Sequence, residues 1–299
     1  MSAAEVSSEL SIDEALQRKS FWQKLFGLIR QQPLGAVGAF VVLAMLLLSI
    51  FAEVIVVYDP VENQWDHMLQ SPNVAHWLGT DQYGRDILTR IIYGARTALF
   101  VGLTSAFVGA TSGLILGVAS AYFGGTFDLI FMRFMDVFMA FPVIIMALAI
   151  VSIFGSELPY VILAITLPII PDCARIVRSN ALQIRAIPYV DAARALGFGH
   201  TRIIMRHMLP NVMAPYLIIF TSAIGGAILL EASLSYLGLG VQEPTAAWGL
   251  MLQGGAEEYI ESAFWVGFFP GFAIALAVFG FNMFGDAVRD VLDPRLRQQ

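Results

Sequence analysis

Charged residues are scarce in this sequence of 299 residues. Asp, Glu, Lys and Arg make up 13% of it, whereas hydrophobic residues make up 58% and the mean hydropathy is +0.72. Soluble domains carry about a quarter charged residues, so this composition indicates a protein that has lipid as part of its solvent. The formal net charge is −6, and without a basic excess no nucleic-acid partner is expected.

Cysteine is nearly absent, since Cys173 is the only one. A single cysteine excludes an intrachain disulfide and any metal or iron–sulfur site built from several cysteines. The 4 histidines have no paired metal-ligand spacing, and the chain contains no G-x-x-x-x-G-K-[ST] phosphate loop. We therefore expect no catalytic site, no metal site and no cofactor in this chain.

Long apolar runs are the main feature of the sequence. A membrane-spanning helix needs about 20 mostly apolar residues, and the candidate spans are 34–57, 97–122, 129–153, 158–177, 212–237 and 265–285. They predict an all-α integral membrane protein with six transmembrane helices, the third and fourth joined by a short turn around Gly155. In the second span, Gly109, Gly113 and Gly117 recur every four residues, a spacing that lets another helix approach closely.

The two ends of the chain are more polar than its centre. Residues 1–14 are acidic and rich in serine, unlike a secretory signal, and predict a disordered tail. Residues 16–30 place apolar side chains on one helix face and basic ones opposite, which predicts an amphipathic helix in the headgroup plane; the alternative is an ordinary linker. The predicted organisation is a cytoplasmic tail over 1–33, a permease domain over 34–288 and a second cytoplasmic tail over 289–299.

Lys and Arg are distributed unevenly between the segments that join the spans. With a cytoplasmic N-terminus, 14 of the 17 lie in inside segments, and the outside ones are Arg85, Arg90 and Arg96. This asymmetry fits the positive-inside rule and places both termini in the cytoplasm.

Few ionisable or amide side chains interrupt the spans. Glu53 and Glu231 fall near the outer ends of their helices, and Asp136 and Asn282 fall near the inner ends, where each can reach water. The middle of the membrane is therefore expected to be uncharged, unlike in carriers driven by protons or sodium ions. Energy for transport is expected to come from a partner outside the membrane.

A polar segment of about thirty residues, 178–209, separates the fourth and fifth spans and falls on the cytoplasmic side. Helical spacing predicts a short helix with a small apolar face made of Tyr189, Ala192, Ala193 and Leu196. Gly197 suits the end of that helix, and a second helix starts near Thr201 and carries Arg202 and Arg206. The segment is suited to docking a soluble protein; the alternative is a hairpin that binds lipid headgroups.

Within this segment, DAARALGFGHTRIIMRHMLP resembles the EAA loop of ABC-importer permeases, in which E-A-A, a glycine and I-x-L-P recur at fixed spacing. Asp191 replaces the usual glutamate, and His207 stands where isoleucine is usual. In that family the loop helix inserts into a groove on an ATP-hydrolysing subunit and transmits its closure to the membrane helices. The resemblance implies an ATPase-coupling role for Tyr189, Asp191, Ala192, Ala193, Leu196, Gly197, Arg202 and Arg206.

Four further stretches resemble the C-type permease subunit of dipeptide, oligopeptide and nickel importers. They are LGTDQYGRDILTRIIYGARTAL (78–99), MRFMDVFMAFP (132–142), SYLGLGVQEPTAAWGLML (235–252) and FNMFGDAVRDVLDPRL (281–296). The resemblance implies a type I ABC-importer permease fold and a non-catalytic subunit in a prokaryotic plasma (inner) membrane. It also implies a second homologous permease in a heterodimer, two ABC ATPase subunits and an extracytoplasmic substrate-binding protein.

The expected solute is a di- or oligopeptide. Nickel chelates, glutathione or opine-type solutes are the alternatives within the family, and a secondary transporter is the alternative from another class.

The outer side holds the remaining candidate residues. Asp81, Arg85 and Asp86 precede an apolar run and predict a capped amphipathic helix on the outer surface. This helix contacts the binding protein, as the family implies, or lies on the bilayer. Trp248 belongs to an acidic outer loop, where it anchors at the membrane interface or lines the way into the pore.

Overall fold

The computed structural model describes residues 27, 30, 32–256, 259 and 261–292. The predicted amphipathic helix over 16–30 and the tail beyond residue 292 fall almost wholly outside them. Within the described residues the α-helices are α1 Pro33–Ile50, α2 Ala52–Ile55, α3 Ile87–Phe123, α4 Gly125–Met139, α5 Val143–Phe154, α6 Leu158–Arg185, α7 Pro188–Ala195, α8 His200–Ile203, α9 Leu209–Tyr236, α10 Trp248–Ala256 and α11 Trp265–Leu292. A 3₁₀ turn at Trp65–His67 precedes α3, and a π-helical turn at Ile204–Met208 joins α8 to α9.

Five helices are long and apolar enough to cross a membrane, namely α1, α3, α6, α11 and the continuous run His200–Tyr236. The predicted third span, 129–153, is not one straight helix, because α4 and α5 meet at an angle of 87°. Proline has no backbone N–H and disfavours helical geometry in the residue before it, so Pro142 breaks the helix after Met139. The chain has six spans only if this bent pair counts as one.

Helix α3 begins ten residues before the predicted second span and has 37 residues. Asp86 is its N-cap, and the backbone N–H of Thr89 donates to Asp86 Oδ2 at 2.8 Å. The predicted separate amphipathic helix on the outer surface is therefore wrong: the same residues form the outer end of α3, and Ile87 and Ile92 are buried. At 1.5 Å per residue the helix is about 55 Å long and extends well beyond a bilayer core of about 30 Å.

The glycine stripe of α3 packs against α6, as its spacing predicts. A Cβ added at Gly113 would lie 2.6 Å from the Cβ of Cys173, and one added at Gly117 would lie 2.6 Å from the carbonyl oxygen of Ala174. Both distances are far below van der Waals contact, so only glycine lets the two backbones come this close. Cys173 is fully buried in this contact and donates its thiol to the carbonyl of Ala110 at 3.1 Å.

Helices α9 and α11 complete the bundle on the other side of α3. Helix α1 lies on α11, where a Cβ at Gly38 would come within 2.6 Å of Met283. Helix α10 closes the outer end of the bundle, and its first residue, Trp248, packs against Gly94 of α3.

One expectation about charges in the spans is wrong, and one charge was overlooked. Glu231 does not reach water: it is 1% exposed and accepts a hydrogen bond of 2.7 Å from the Ser235 hydroxyl, which in turn accepts the N–H of Val241 at 3.1 Å. The spans are also not free of charge at mid-length, because Asp172 is exposed half-way along α6. The predicted span 158–177 places residue 172 near its inner end. The helix continues to Arg185, so Asp172 lies in the middle of the helix.

Replacing Gly113 with alanine is expected to destabilise the protein, although alanine is the better helix former. The added methyl group would overlap Cys173, and overpacking of this kind costs about 1–3 kcal/mol. Thermal unfolding of the purified protein in detergent measures the effect. Gly226→Ala is the matched control, because nothing lies within 4 Å of a Cβ added there; equal melting temperatures for the two variants would contradict the close contact of α3 with α6.

Candidate functional site

The loop between the fourth and fifth predicted spans is shorter than expected. Residues 178–185 continue α6, and only residues 186–199 separate α6 from α8. Pro188 starts α7, where its missing N–H costs nothing. The helix ends in a glycine turn: Gly197 has φ +78°, its N–H donates to Arg194 at 2.9 Å, and the N–H of Phe198 donates to Ala193 at 3.1 Å. These two bonds form a Schellman cap, as the position of Gly197 predicts. Residues 186–208 are called the inner knob, after the cytoplasmic side on which the distribution of Lys and Arg predicts them.

Three of the four residues of the predicted apolar face, Tyr189, Ala192 and Leu196, are exposed, and the fourth, Ala193, is buried. Val190 and Ala193 face inward and join a cluster with the inner halves of α3 and α6, whereas Ala192 is exposed and Leu196 is 75% exposed. Val190 is fully buried, and burial of its apolar side chain favours the orientation in which this side of the helix faces the core. Ala193 is therefore unavailable to a partner. Asp191, Ala192 and Leu196 form the exposed strip of the helix.

The second helix of the inner knob does not stop at Pro210. It continues into α9 through the π turn at Ile204–Met208, in which the N–H of Leu209 bonds the carbonyl of Ile204. Proline cannot donate to the residue four places earlier and its ring crowds that carbonyl, and a wider turn relieves both constraints.

One backbone carbonyl ties the two ends of the inner knob together. His207 O accepts the hydroxyl of Tyr189 at 3.0 Å and the side-chain amide of Asn211 at 2.7 Å. The imidazole of His207 also stacks on Phe198, with ring centroids 6.2 Å apart and planes at 15°. The start of α7 is thereby bonded to the start of α9, so the two cannot move independently.

The arginines of the inner knob are exposed, and each has different neighbours. Arg202 lies over the ring of Phe198 at 4.1 Å, and Arg194 lies 3.3 Å from Asp191. The Asp191 side chain is 70% exposed, so its charge remains accessible. Arg206 is exposed beside the π turn.

A buried charge cluster lies at the other end of the bundle, where α3 begins. Arg85 Nε lies 2.7 Å from Asp81 Oδ2, and its two terminal nitrogens lie 2.9 and 3.3 Å from the Glu243 carboxylate. Arg90 reaches the same Glu243 at 3.4 Å and donates to Pro60 O at 2.9 Å. Burial disfavours a charged Arg85, but hydrogen bonds and charge from Glu243 and Asp81 outweigh it and raise the pKa of this guanidinium above its ordinary value.

The outer residues that the sequence singled out are therefore part of the packed structure and are not exposed for a partner to contact. Asp81, Arg85, Asp86 and Trp248 are all buried. Asp86 lies 2.9 Å from His76 Nδ1, and the Trp248 indole donates to Ile91 O at 3.0 Å. Arg90 and Glu243 were missed because their contact joins residues 153 positions apart, which leaves no local signal. The exposed side chains beside this cluster are Trp65, Val74 and Trp77.

Comparison with known proteins identifies the class. The family model "Binding-protein-dependent transport system inner membrane component" matches residues 113–298. The model "N-terminal TM domain of oligopeptide transport permease C" matches residues 20–72. The chain therefore belongs to the binding-protein-dependent transport permeases, the membrane components of ABC importers, and is a multi-pass protein of a prokaryotic plasma membrane. A permease of this family works with ATPase and substrate-binding partners.

Curated relatives cover nearly the whole chain. It is 40% identical over 276 residues to the dipeptide transport system permease protein DppC of Alkalihalophilus pseudofirmus, which covers 92% of this chain and 90% of that protein. It is 40% identical over 283 residues to the glutathione transport system permease protein GsiD of Shigella flexneri, with coverage of 94% and 93%. Among solved structures, the inward-facing MetNI methionine ABC transporter aligns with a TM-score of 0.57 and 19% identity over 69% of this chain and 98% of that chain. This likeness confirms the permease fold.

Replacing Asp81 with asparagine should lower the stability of the outer cluster. The variant leaves Arg85 without its nearest carboxylate but with Glu243, so we expect a loss below the roughly 3–5 kcal/mol of a buried charge left without any partner. Thermal unfolding in detergent is the measurement. Asp66→Asn, at an exposed position of the same outer segment, should leave the melting temperature unchanged. An equally small effect of both variants would show that the cluster does not stabilise the fold.

Replacing Gly197 with valine should open the turn that ends α7. A β-branched residue in the left-handed region costs about 1–2 kcal/mol, whereas asparagine tolerates it. Hydrogen exchange of the amides in residues 188–199 should accelerate in Gly197→Val and stay near wild type in Gly197→Asn. The faster exchange would come from backbone strain and not from steric overlap, because nothing lies within 4 Å of a Cβ at position 197. Identical exchange in both variants would argue against the Schellman turn.

Proposed function

We propose that this chain is one of two homologous permease subunits in an ATP-driven importer of di- or oligopeptides. The observation that carries the proposal is the inner knob, a short capped helix whose exposed strip is held rigidly on the inner ends of the membrane helices. A second permease would complete the pore as a heterodimer, and two ABC ATPases would bind on the cytoplasmic side.

The ATPase contact is proposed for the exposed strip of α7. Ala192 offers no bulk and permits close approach, Leu196 supplies an apolar anchor, and Asp191 supplies a charge for a polar contact. Ala193 is excluded from the contact because it packs on the protein's own core. Its role is to hold α7 in place.

Closure of the ATPases would reach the membrane through two connections. The chain leads from α6 into α7 across only Ala186 and Ile187, and the Tyr189 hydroxyl bonds α7 to His207 O at the π turn of α9. A push on α7 would therefore shift α6 and α9 together. This coupling through packed helices and a hydrogen bond is a mechanical role, and the proposal assigns no catalytic step to the chain.

The proposed orientation places both termini and the inner knob in the cytoplasm, because Lys and Arg are concentrated on that side. The segment 58–86 and the loop before α10 then face outward. A substrate-binding protein would dock on their exposed surface, for which Trp65, Val74 and Trp77 are better placed than the buried Asp81, Arg85, Asp86 and Trp248.

A peptide is proposed as the solute because a dipeptide permease is 40% identical to this chain over 92% of its length. Glutathione, itself a small peptide, is the alternative, since the glutathione permease relative is equally similar. Specificity between them would depend on the separate binding protein as well as on the pore.

Reconstitution of the complete transporter in proteoliposomes tests the proposal. With the loaded binding protein outside and ATP inside, labelled dipeptide should accumulate, and Ala192→Trp should abolish accumulation because the bulky ring blocks the ATPase surface. Gln183→Trp is the control, because residue 183 is exposed on the inner end of α6 but lies outside α7; it should transport normally. Accumulation driven by a proton gradient without ATP would contradict the proposal and favour a secondary transporter.

A further inference from the structure

A groove of about 480 Å³ runs between α5, α6 and α9 on the surface of the bundle. It is lined along α6 by residues at helical spacing and along α9 by mostly small or apolar ones. On α6 these include Ile165, Ile169 and Asp172, and on α9 Ser222, Ala223 and Gly226. Among the lining residues in the described part of the chain, Asp172 is the only charged one. This surface is called the lateral groove below.

Asp172 lies near the middle of α6, one of the helices that are long and apolar enough to cross a membrane. It is half-way along α6, a helix of 28 residues, and Ser222 is half-way along α9, which also has 28 residues. Such helices are about 42 Å long, longer than the hydrocarbon core of about 30 Å, so their midpoints fall inside it. An exposed carboxylate at that depth cannot face lipid without a large free-energy cost. The lateral groove must therefore face water or protein in the assembled transporter.

Asp172 differs from most carboxylates of the helices; Asp286 of α11 also has no partner among the described residues, but it does not line the lateral groove. Glu53 pairs with Arg96, Asp136 with Arg175, Asp128 with Arg178, and Glu231 accepts the Ser235 hydroxyl. Within residues 32–256 and 261–292, Asp172 forms neither a hydrogen bond nor an ion pair. Arg175 follows one turn later, but its guanidinium lies 2.7 Å from Asp136. The carboxylate of Asp172 thus remains available to a ligand.

The backbone before Asp172 adds to the negative potential. Pro168 and Pro171 lie inside α6 and have no N–H to donate to the carbonyls of residues 164 and 167. These two carbonyls therefore lack their usual donor within the helix, although α6 itself is continuous. Across the groove, the Ser222 hydroxyl donates to Ile218 O at 3.0 Å, which leaves its lone pairs free to accept an N–H. These groups together favour a positively charged ligand.

We propose that Asp172 binds the protonated amino group of the solute as it passes through the pore, with the Ser222 hydroxyl as a second acceptor. The inference rests on the proposed function, because a peptide carries an ammonium group at its N-terminus. The lateral groove then forms this subunit's side of the transport path. A carboxylate in a low-dielectric groove attracts an ammonium ion strongly, and a single exposed site still lets the solute leave.

The test compares wild type, Asp172→Asn and Asp172→Glu in proteoliposomes that contain the complete transporter, with saturating dipeptide-loaded binding protein and ATP. We expect Asp172→Asn to lower dipeptide uptake at least about tenfold and Asp172→Glu, which keeps the charge, to restore most of it. ATPase stimulation by the loaded binding protein should stay within about twofold of wild type in both variants. This combination separates a lost solute contact from a lost assembly or coupling contact.

Three outcomes would overturn the inference. Unchanged uptake by Asp172→Asn, with active wild type, would show that the carboxylate does not contact the solute and would leave the proposed function standing. Loss of the second permease from purified Asp172→Asn complexes would show instead that Asp172 pairs with a cation of that subunit. No peptide uptake by wild type itself would overturn both the inference and the proposed function.

Discussion

The close contact of α3 with α6 is the constraint on which the rest of the structure depends. At Gly113 and Gly117 the two backbones approach so closely that a methyl group would not fit, and this fixes the depth and rotation of α6. The rotation places Cys173 inside the contact and Asp172, about 100° further round the helix, at the exposed surface. The inner end of α6 leads directly into α7, so the same contact also determines where the inner knob stands relative to the bundle.

Charged residues are concentrated at the two ends of the bundle, and their ion pairs have a different role at each end. At the outer end, Arg85, Asp81 and Glu243 form a buried cluster that joins the start of α3 to the loop after α9, and this part of the molecule is built to be rigid. At the inner end, Asp128 pairs with Arg178 and Asp136 with Arg175, which links the bent pair α4–α5 to α6. Between the two ends, the lateral groove carries Asp172, an unpaired carboxylate. This arrangement suits a subunit that is held at both ends and transmits motion along α6 and α9.

Much of this was predictable from sequence, because lipid imposes a simple requirement of about 20 apolar residues per span. The spans, the short helix at 188–195, its glycine turn and the family followed from local patterns. Contacts between distant residues were not predictable: Glu243 meets Arg85 only after folding, and Ala193, predicted to belong to the docking face of α7, is buried instead. The 87° bend at Pro142 was missed because proline is often tolerated in membrane helices. Asp172 was missed because its distance from the middle of the helix depends on where α6 ends, and the sequence placed that end eight residues too early.

Site-directed cross-linking in native membranes tests the central claim, that the exposed strip of α7 is the surface on which an ATPase acts. In a Cys173→Ala background the chain has no other cysteine, so Leu196→Cys and Val74→Cys each introduce a single exposed thiol. The account predicts that a short bifunctional reagent joins position 196 to an ATPase subunit, in a yield that changes when nucleotide is added, and that position 74 gives no such product. Cross-linking of the ATPase through position 74 but not through position 196 would contradict both the docking surface and the orientation of the chain.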